Sequence, residues 1–424
     1  MPFDSGSEKM VAQALGVWPP SIDGKPPAIG LMNPRVRRSR GVLAAALLAA
    51  ILACMPSSAT AGTLKFAFTP IGSLAALQTS NPTLYGNVTG GFTTAGNIWA
   101  GYFHDDMTIN VNIDYPSLPF GTLGSTNVET LGIYYADVRT ALQLDRTSAD
   151  DFLAASSLPA GPNLSFLTNN AATGALVVDA NNTANNAILD VPRANAKALG
   201  FAGEGILAPN DTTLDATISF SSNYAWDFNR SNGITSGTYD FVGGAIHELG
   251  HAMGFLSGVD TVDFVSAPNG NALYLGTNLD PYRVFTVLDL YRRGARNGGG
   301  LDFATGGTGV NNPYFSLDGG ATSLATFATG QRNGDGRQAS HWKDNLGLGI
   351  LDPTFAPGEL GIVSALDVRS LDVIGYDVVV VPEPAAGAMI LPAMAALVLV
   401  ARSNRARRRA RLTPPRGARS FSPL

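Results

Sequence analysis

Residues 240–255 read Asp240-Phe241-Val242-Gly243-Gly244-Ala245-Ile246-His247-Glu248-Leu249-Gly250-His251-Ala252-Met253-Gly254-Phe255. Val242, Ala245, Ile246, Leu249, Ala252 and Met253 recur with a 3.6-residue period, which predicts a helix with a buried face. Asp240 stands where an N-cap belongs. His247 and His251 are four residues apart, so both imidazoles leave the helix on one side, one turn apart. Two imidazoles so placed can share one Zn²⁺. Glu248 is rotated off that side and can reach a water held there. His-Glu-x-x-His is the pattern that serves water activation by a metal with a carboxylate base. The chain holds 4 His, and random placement gives on the order of 0.0005 such patterns, so coincidence is a weak rival. The bland alternative is a pair of core histidines, but burying two imidazoles beside a carboxylate costs free energy unless each is satisfied.

A catalytic zinc uses three protein ligands and keeps one position open. The remaining histidines are His104 and His341, and Asp260 and Asp263, just past the helix, are carboxylate rivals for the third place. Through Gly254 the pattern resembles that of the metzincin proteases, in which the glycine lets the chain turn off the helix. In most of them the third ligand follows three residues later, where this chain has Ser257. Ser340-His341-Trp342, 90 residues after His251, instead resembles the leishmanolysin-type proteases, in which a long insertion precedes the third zinc histidine. That resemblance covers roughly residues 205–378. It implies His341 as third ligand, Glu248 as general base, Zn²⁺ as cofactor and a protein or peptide as substrate. It also implies a methionine-containing turn beneath the metal. Gly349-Ile350-Leu351-Asp352-Pro353 is the matching place, with Leu351 as a near-isovolumetric replacement for Met. Tyr376 enters as an oxyanion donor only by analogy with family tyrosines, at a different spacing. The fold implied is α+β and zincin-like: a twisted mixed sheet, the active-site helix beneath it, and an irregular C-terminal half.

Outside the helix the pattern is of short elements. Met107-Thr108-Ile109-Asn110-Val111-Asn112-Ile113 alternates strictly and predicts a half-buried strand, and residues 175–178 and 216–220 are further strand candidates. Residues 127–142 and 193–199 carry helical spacing, residues 181–186 read as loop, and residues 362–376 read as a closing helix stopped by Gly375. Strands interleaved with helices argue for a mixed architecture.

The ends read as addresses. Arg35, Arg37, Arg38 and Arg40 precede an apolar run over 42–53 and then Ala59-Thr60-Ala61, the pattern of a secretory signal peptide with the mature chain starting at Gly62. Twelve apolar residues are too few to span a bilayer. Cys54 is the one cysteine, so a chain cut after Ala61 has no disulfide and must bind metal through nitrogen and oxygen. Val381-Pro382-Glu383-Pro384, an apolar stretch over 385–401 and the cluster Arg402, Arg405, Arg407, Arg408 and Arg409 together resemble the PEP-CTERM sorting signal. This implies attachment to the membrane by a C-terminal helix, processing by an exosortase-type enzyme, and an extracellular or cell-surface body. Four parts follow: leader and signal peptide over 1–61, a catalytic part over 62–257, a C-terminal part with the third ligand over 258–380, and the sorting segment over 381–424.

Composition bounds the function. The chain has 424 residues and is 45% hydrophobic, which excludes a disordered chain. Residues 62–401 carry a net charge of −16, which argues against nucleic acid as partner. The chain's 27 Asp against 6 Glu, many in Gly/Asn-rich loops, are compatible with structural Ca²⁺, although no EF-hand loop occurs. The expected activity is that of an exported zinc-dependent endopeptidase. The rival from another class is a surface or extracellular-matrix protein that keeps zinc without catalysis.

Overall fold

A computed structural model describes residues 63–201, 207–208 and 211–379. The signal-peptide and sorting segments lie outside the described residues. Among the described residues no helix is long and apolar enough to cross a membrane.

The chain opens with β1 (Lys65–Pro70), α1 (Gly72–Ser80), α2 (Pro82–Ala100), β2 (Thr108–Asp114) and β3 (Gly124–Val128). It continues with β4 (Thr130–Tyr134), α3 (Tyr135–Leu144), α4 (Ala149–Ser156), β5 (Phe166–Asn169) and β6 (Leu176–Asp179). Then come α5 (Ala184–Ala187), β7 (Ile188–Pro192), α6 (Arg193–Ala198) and β8 (Ala216–Phe220). β1, β2 and β8 run parallel, and β3 closes the sheet antiparallel to β8, in the order β1-β2-β8-β3. The alternation read from the sequence sends Ile109, Val111 and Ile113 inward from β2, and Ala216, Ile218 and Phe220 inward from β8. β3 does the same with Gly124, Thr126 and Val128.

After the short strands β9 (Trp226–Asp227) and β10 (Tyr239–Asp240) comes α7 (Phe241–Met253), the helix expected over 240–255. The Asp240 carboxylate caps it, accepting from Gly243 N at 2.9 Å, and Arg230 Nη2 lies 3.0 Å from the same side chain. α7 packs beside α2 and against β3 and β8. The close approach of the two helices requires Gly91, where a Cβ would sit 2.4 Å from the Phe241 ring. Phe92, Phe220 and Trp226 surround that ring at centroid distances of 5.6, 4.8 and 5.5 Å. Gly254 ends α7 at φ +120°, a conformation that side chains disfavour.

α8 (Val259–Val265) follows, and beyond it regular structure is sparse. Two-residue strands β11 (Arg292–Arg293), β12 (Tyr314–Phe315) and β13 (Ala325–Thr326) form a small antiparallel sheet, and α9 (Ala365–Asp372) closes the described chain. The α+β class and the irregular C-terminal half are as expected. One apolar core runs through both halves, from Leu64 to Tyr376.

Three sequence expectations need correction. Residues 127–142 are helical only from Tyr135 onward; Thr130–Tyr134 is a strand because it pairs antiparallel with β7, 58 residues downstream. Within 181–186, Thr183 begins the single helical turn Ala184–Ala187, its N–H donating to Asn186 Oδ1 at 3.0 Å. The closing helix is eight residues long, because Ser364 caps it at Ala365 and Asp372 ends it, three residues before Gly375.

Candidate metal centre

His247 and His251 project from α7 with their Nε2 atoms 3.0 Å apart. His341, from the loop after β13, brings its Nε2 to 3.2 Å from each of them. Among the described residues this is the one group of three or more such side chains that converges on a point, and all three are fully buried. Four ligands arranged tetrahedrally at a Zn–N length of ~2.0–2.1 Å stand ~3.3–3.4 Å apart, close to the spacing seen.

The outer nitrogens decide what the inner ones can do. His247 Nδ1 lies 2.7 Å from the Ile350 carbonyl oxygen, His251 Nδ1 2.8 Å from that of Phe255, and His341 Nδ1 3.3 Å from that of Gln338. A carbonyl oxygen only accepts, so each Nδ1 carries the proton and each Nε2 presents a lone pair. Three lone pairs aimed at one another repel, and a cation between them removes that repulsion. Burial, together with the neighbouring His251, pushes both His247 and His341 well below the ordinary histidine pKa, which keeps them neutral as metal ligands require. The donor set and the fixed tautomers therefore fit a divalent metal ion.

Asp367 organises the loops around this centre. It accepts from Trp342 Nε1 at 2.8 Å and from Ile350 N at 2.8 Å, so one carboxylate holds the residue after His341 and the carbonyl that orients His247. The 349–353 turn lies against α7, with Leu351 buried beneath Gly250. Trp342 is boxed in by Phe255 and Phe327 at 4.8 and 5.0 Å.

Glu248 is fully buried beside the centre and does not join the converging group. Its Oε2 accepts from Thr126 Oγ1 at 2.5 Å, so strand β3 orients the carboxylate.

The rival third ligands are engaged elsewhere. Asp260 accepts from Ala339 N at 2.6 Å, Ser340 N at 3.2 Å and Ser340 Oγ at 2.5 Å. Asp263 accepts from Thr305 Oγ1, Arg332 N and Asn333 N at 2.7–2.8 Å. His104 Nδ1 lies against the Asp377 carbonyl at 2.9 Å. Ser257 Oγ donates to Asp289 at 2.6 Å. The Tyr376 hydroxyl donates to the Met253 carbonyl at 2.8 Å and is buried, so it does not fit an oxyanion donor. Sequence reasoning misses Thr126 and Asp367: an inward threonine on a strand and an aspartate at a helix N3 position look ordinary until their partners are known.

A surface pocket of ≈620 Å³ is lined by Arg337, Asp344, Asp352, Phe355 and Glu359 among others; neither the three histidines nor Glu248 line it. The Phe355 ring stands edge-on to His247 at 6.5 Å.

Comparison of the chain with protein-family models, with curated proteins and with solved structures gave no match.

Proposed function

We propose that the chain is an exported zinc-dependent endopeptidase, with His247, His251 and His341 as metal ligands and Glu248 as general base. The observation that carries this reading is the convergence of three Nε2 atoms within 3.2 Å, each with its Nδ1 proton committed to a backbone carbonyl. Zinc, when bound, supplies Lewis acidity toward a peptide carbonyl and toward water. Glu248 takes the proton of the water that attacks the carbonyl carbon and returns it to the nitrogen as the C–N bond breaks. Thr126 holds the carboxylate in place for both transfers. Export and transient membrane attachment belong to this reading through the two terminal segments, as does an exosortase-type processing enzyme.

The second reading is a zinc-stabilised surface or matrix protein without catalysis. The complete burial of all three histidines and of Glu248 favours it, because a catalytic ion needs an open position. Ser257 and Leu351, which depart from the family pattern, point the same way.

Glu248→Gln separates the two. The protease reading expects unchanged zinc content and casein cleavage reduced by orders of magnitude. A wild-type protein with full zinc that cleaves no member of a peptide library establishes the second reading.

A further inference from the structure

Asp260 is buried, and it faces away from solvent toward a stretch of chain 79 to 80 residues further on. Its Oδ1 accepts from Ala339 N, and its Oδ2 accepts from both the backbone N and the hydroxyl of Ser340. The same Ser340 hydroxyl accepts from Ser257 N at 2.9 Å, which ties the turn a second time to the segment leaving α7. Ser257 is itself fixed by Asp289, which also accepts from Gly258 N at 2.8 Å and Thr286 N at 2.9 Å. Residues 338–341 therefore meet the α7–α8 connection through a continuous set of buried hydrogen bonds. Gln338, at the head of that turn, supplies the carbonyl facing His341 Nδ1.

The third imidazole comes from a loop outside the named elements, where the His341 carbonyl accepts from Ala328 N at 3.0 Å and Trp342 bridges to Phe327, whereas the first two are fixed by a helix. A loop that delivers a ligand to a point 3.2 Å from two others needs an anchor, and supporting groups behind metal ligands commonly set affinity by about 10–100-fold. We infer that Asp260 is a positioning residue for the metal centre: its carboxylate clamps the Ala339–Ser340 backbone to the first turn of α8, just past the histidine-bearing helix, and so delivers His341. An aspartate is suited to this because both its oxygens accept, and the three groups it meets are all donors. Asparagine would turn one accepting oxygen into a donor and set it against Ser340. The inference rests on the metal-binding part of the reading above and not on catalysis.

The test is metal binding by the full-length chain, without substrate. Asp260→Asn is expected to keep wild-type far-UV circular dichroism while its zinc Kd, measured by chelator competition, rises about 10–100-fold. Its Co²⁺ complex is expected to lose d–d absorption intensity toward that of His341→Ala, a change that a general loss of stability does not produce. Ser340→Ala, which keeps both backbone bonds, is expected to shift the Kd in the same direction by less. Wild-type affinity and a wild-type cobalt spectrum in folded Asp260→Asn overturn the inference. If that variant does not fold, wild-type affinity in Ser340→Ala overturns it. Failure here leaves the protease reading standing, since that reading is decided by Glu248→Gln and peptide cleavage.

Discussion

Thr126 Oγ1 donates to Glu248 Oε2 at 2.5 Å across the contact between β3 and α7, and the same hydroxyl lies 3.1 Å from the Glu248 carbonyl oxygen. Both residues are fully buried. A buried carboxylate that loses a hydroxyl donor keeps its desolvation penalty without the compensation. Thr126→Val preserves shape and removes the donor. The expected loss is about 2 kcal/mol, the usual size for a hydrogen bond to a charged group. Urea denaturation checks it, and a change below about 0.5 kcal/mol, the scatter of neutral surface substitutions, contradicts it.

Gly250 and Leu351 set the depth of the turn beneath the centre. A Cβ on Gly250 would sit 2.6 Å from Leu351 Cδ2. Leu351 is fully buried, and its neighbour Ile350 holds His247 through its carbonyl. Gly250→Ala gains helix propensity of about 1 kcal/mol but must displace the turn, so a net destabilisation of about 1–3 kcal/mol is expected. Gly250→Ala combined with Leu351→Ala is expected to cost less than the sum of the two singles by about 1 kcal/mol or more, because the pair is in contact. Leu351→Met, which conserves volume, is expected to cost under about 1.5 kcal/mol. Denaturation midpoints of wild type, the two singles and the double close the cycle, and additive singles refute the steric account.

On the proposed reading a bound metal relieves three buried lone pairs that face one another, so zinc is expected to stabilise the protein. At free zinc about 1,000 times the Kd, the expected gain over the chelated protein is about 4 kcal/mol. His341→Ala is expected to shrink that gain, since two helix imidazoles remain. Equal zinc-dependent shifts in wild type and His341→Ala contradict the three-histidine site.

Legibility in the sequence depends on whether an element's partners are local. α7 is legible because its cap, its apolar stripe and its two histidines all lie within fourteen residues, Asp240 to Met253. β2 and β8 are legible because alternation shows a half-buried strand without reference to its neighbour. Residues 127–134 are not, because Val128, Leu131, Tyr135, Val138 and Leu142 fit a helix equally well until the pairing of β3 with β8 and of β4 with β7 is known. His341 is legible through its Ser-His-Trp setting. Asp260 has the chemistry of a metal ligand and a different role in the fold. Acceptors suited to a metal are also suited to backbone N–H groups, and only the position of Ala339 and Ser340 decides between them.

A cluster of aspartates ties the α3–α4 connection to the end of the described chain, and its burial predicts a loss of stability in alkali. Burial pushes Asp145 up to about 8 from an ordinary 3.8, with Asp377, Asp151, Asp105 and Asp372 adding like charge. Burial, then Asp377, raises Asp105 to about 7, and burial, then Asp151, raises Asp372 to about 7. Ser148 Oγ donates to Asp372 at 2.7 Å and Thr147 Oγ1 to Asp377 at 2.6 Å, so the carboxylates are held together by the loop between the helices. Between pH ~4 and ~8 the folded chain keeps protons on these groups that the unfolded chain has released, so stability falls as pH rises through that window. Asp145→Asn removes one of the groups that must ionise. The variant's advantage in urea midpoint over wild type is expected to grow from pH ~4 to pH ~8.5 and to be largest at the alkaline end. His247 and His341 act with the opposite sign and only below their ordinary value of 6.5, so they do not disturb the comparison on the alkaline side. An Asp145→Asn protein no more stable than wild type at the higher pH contradicts the account.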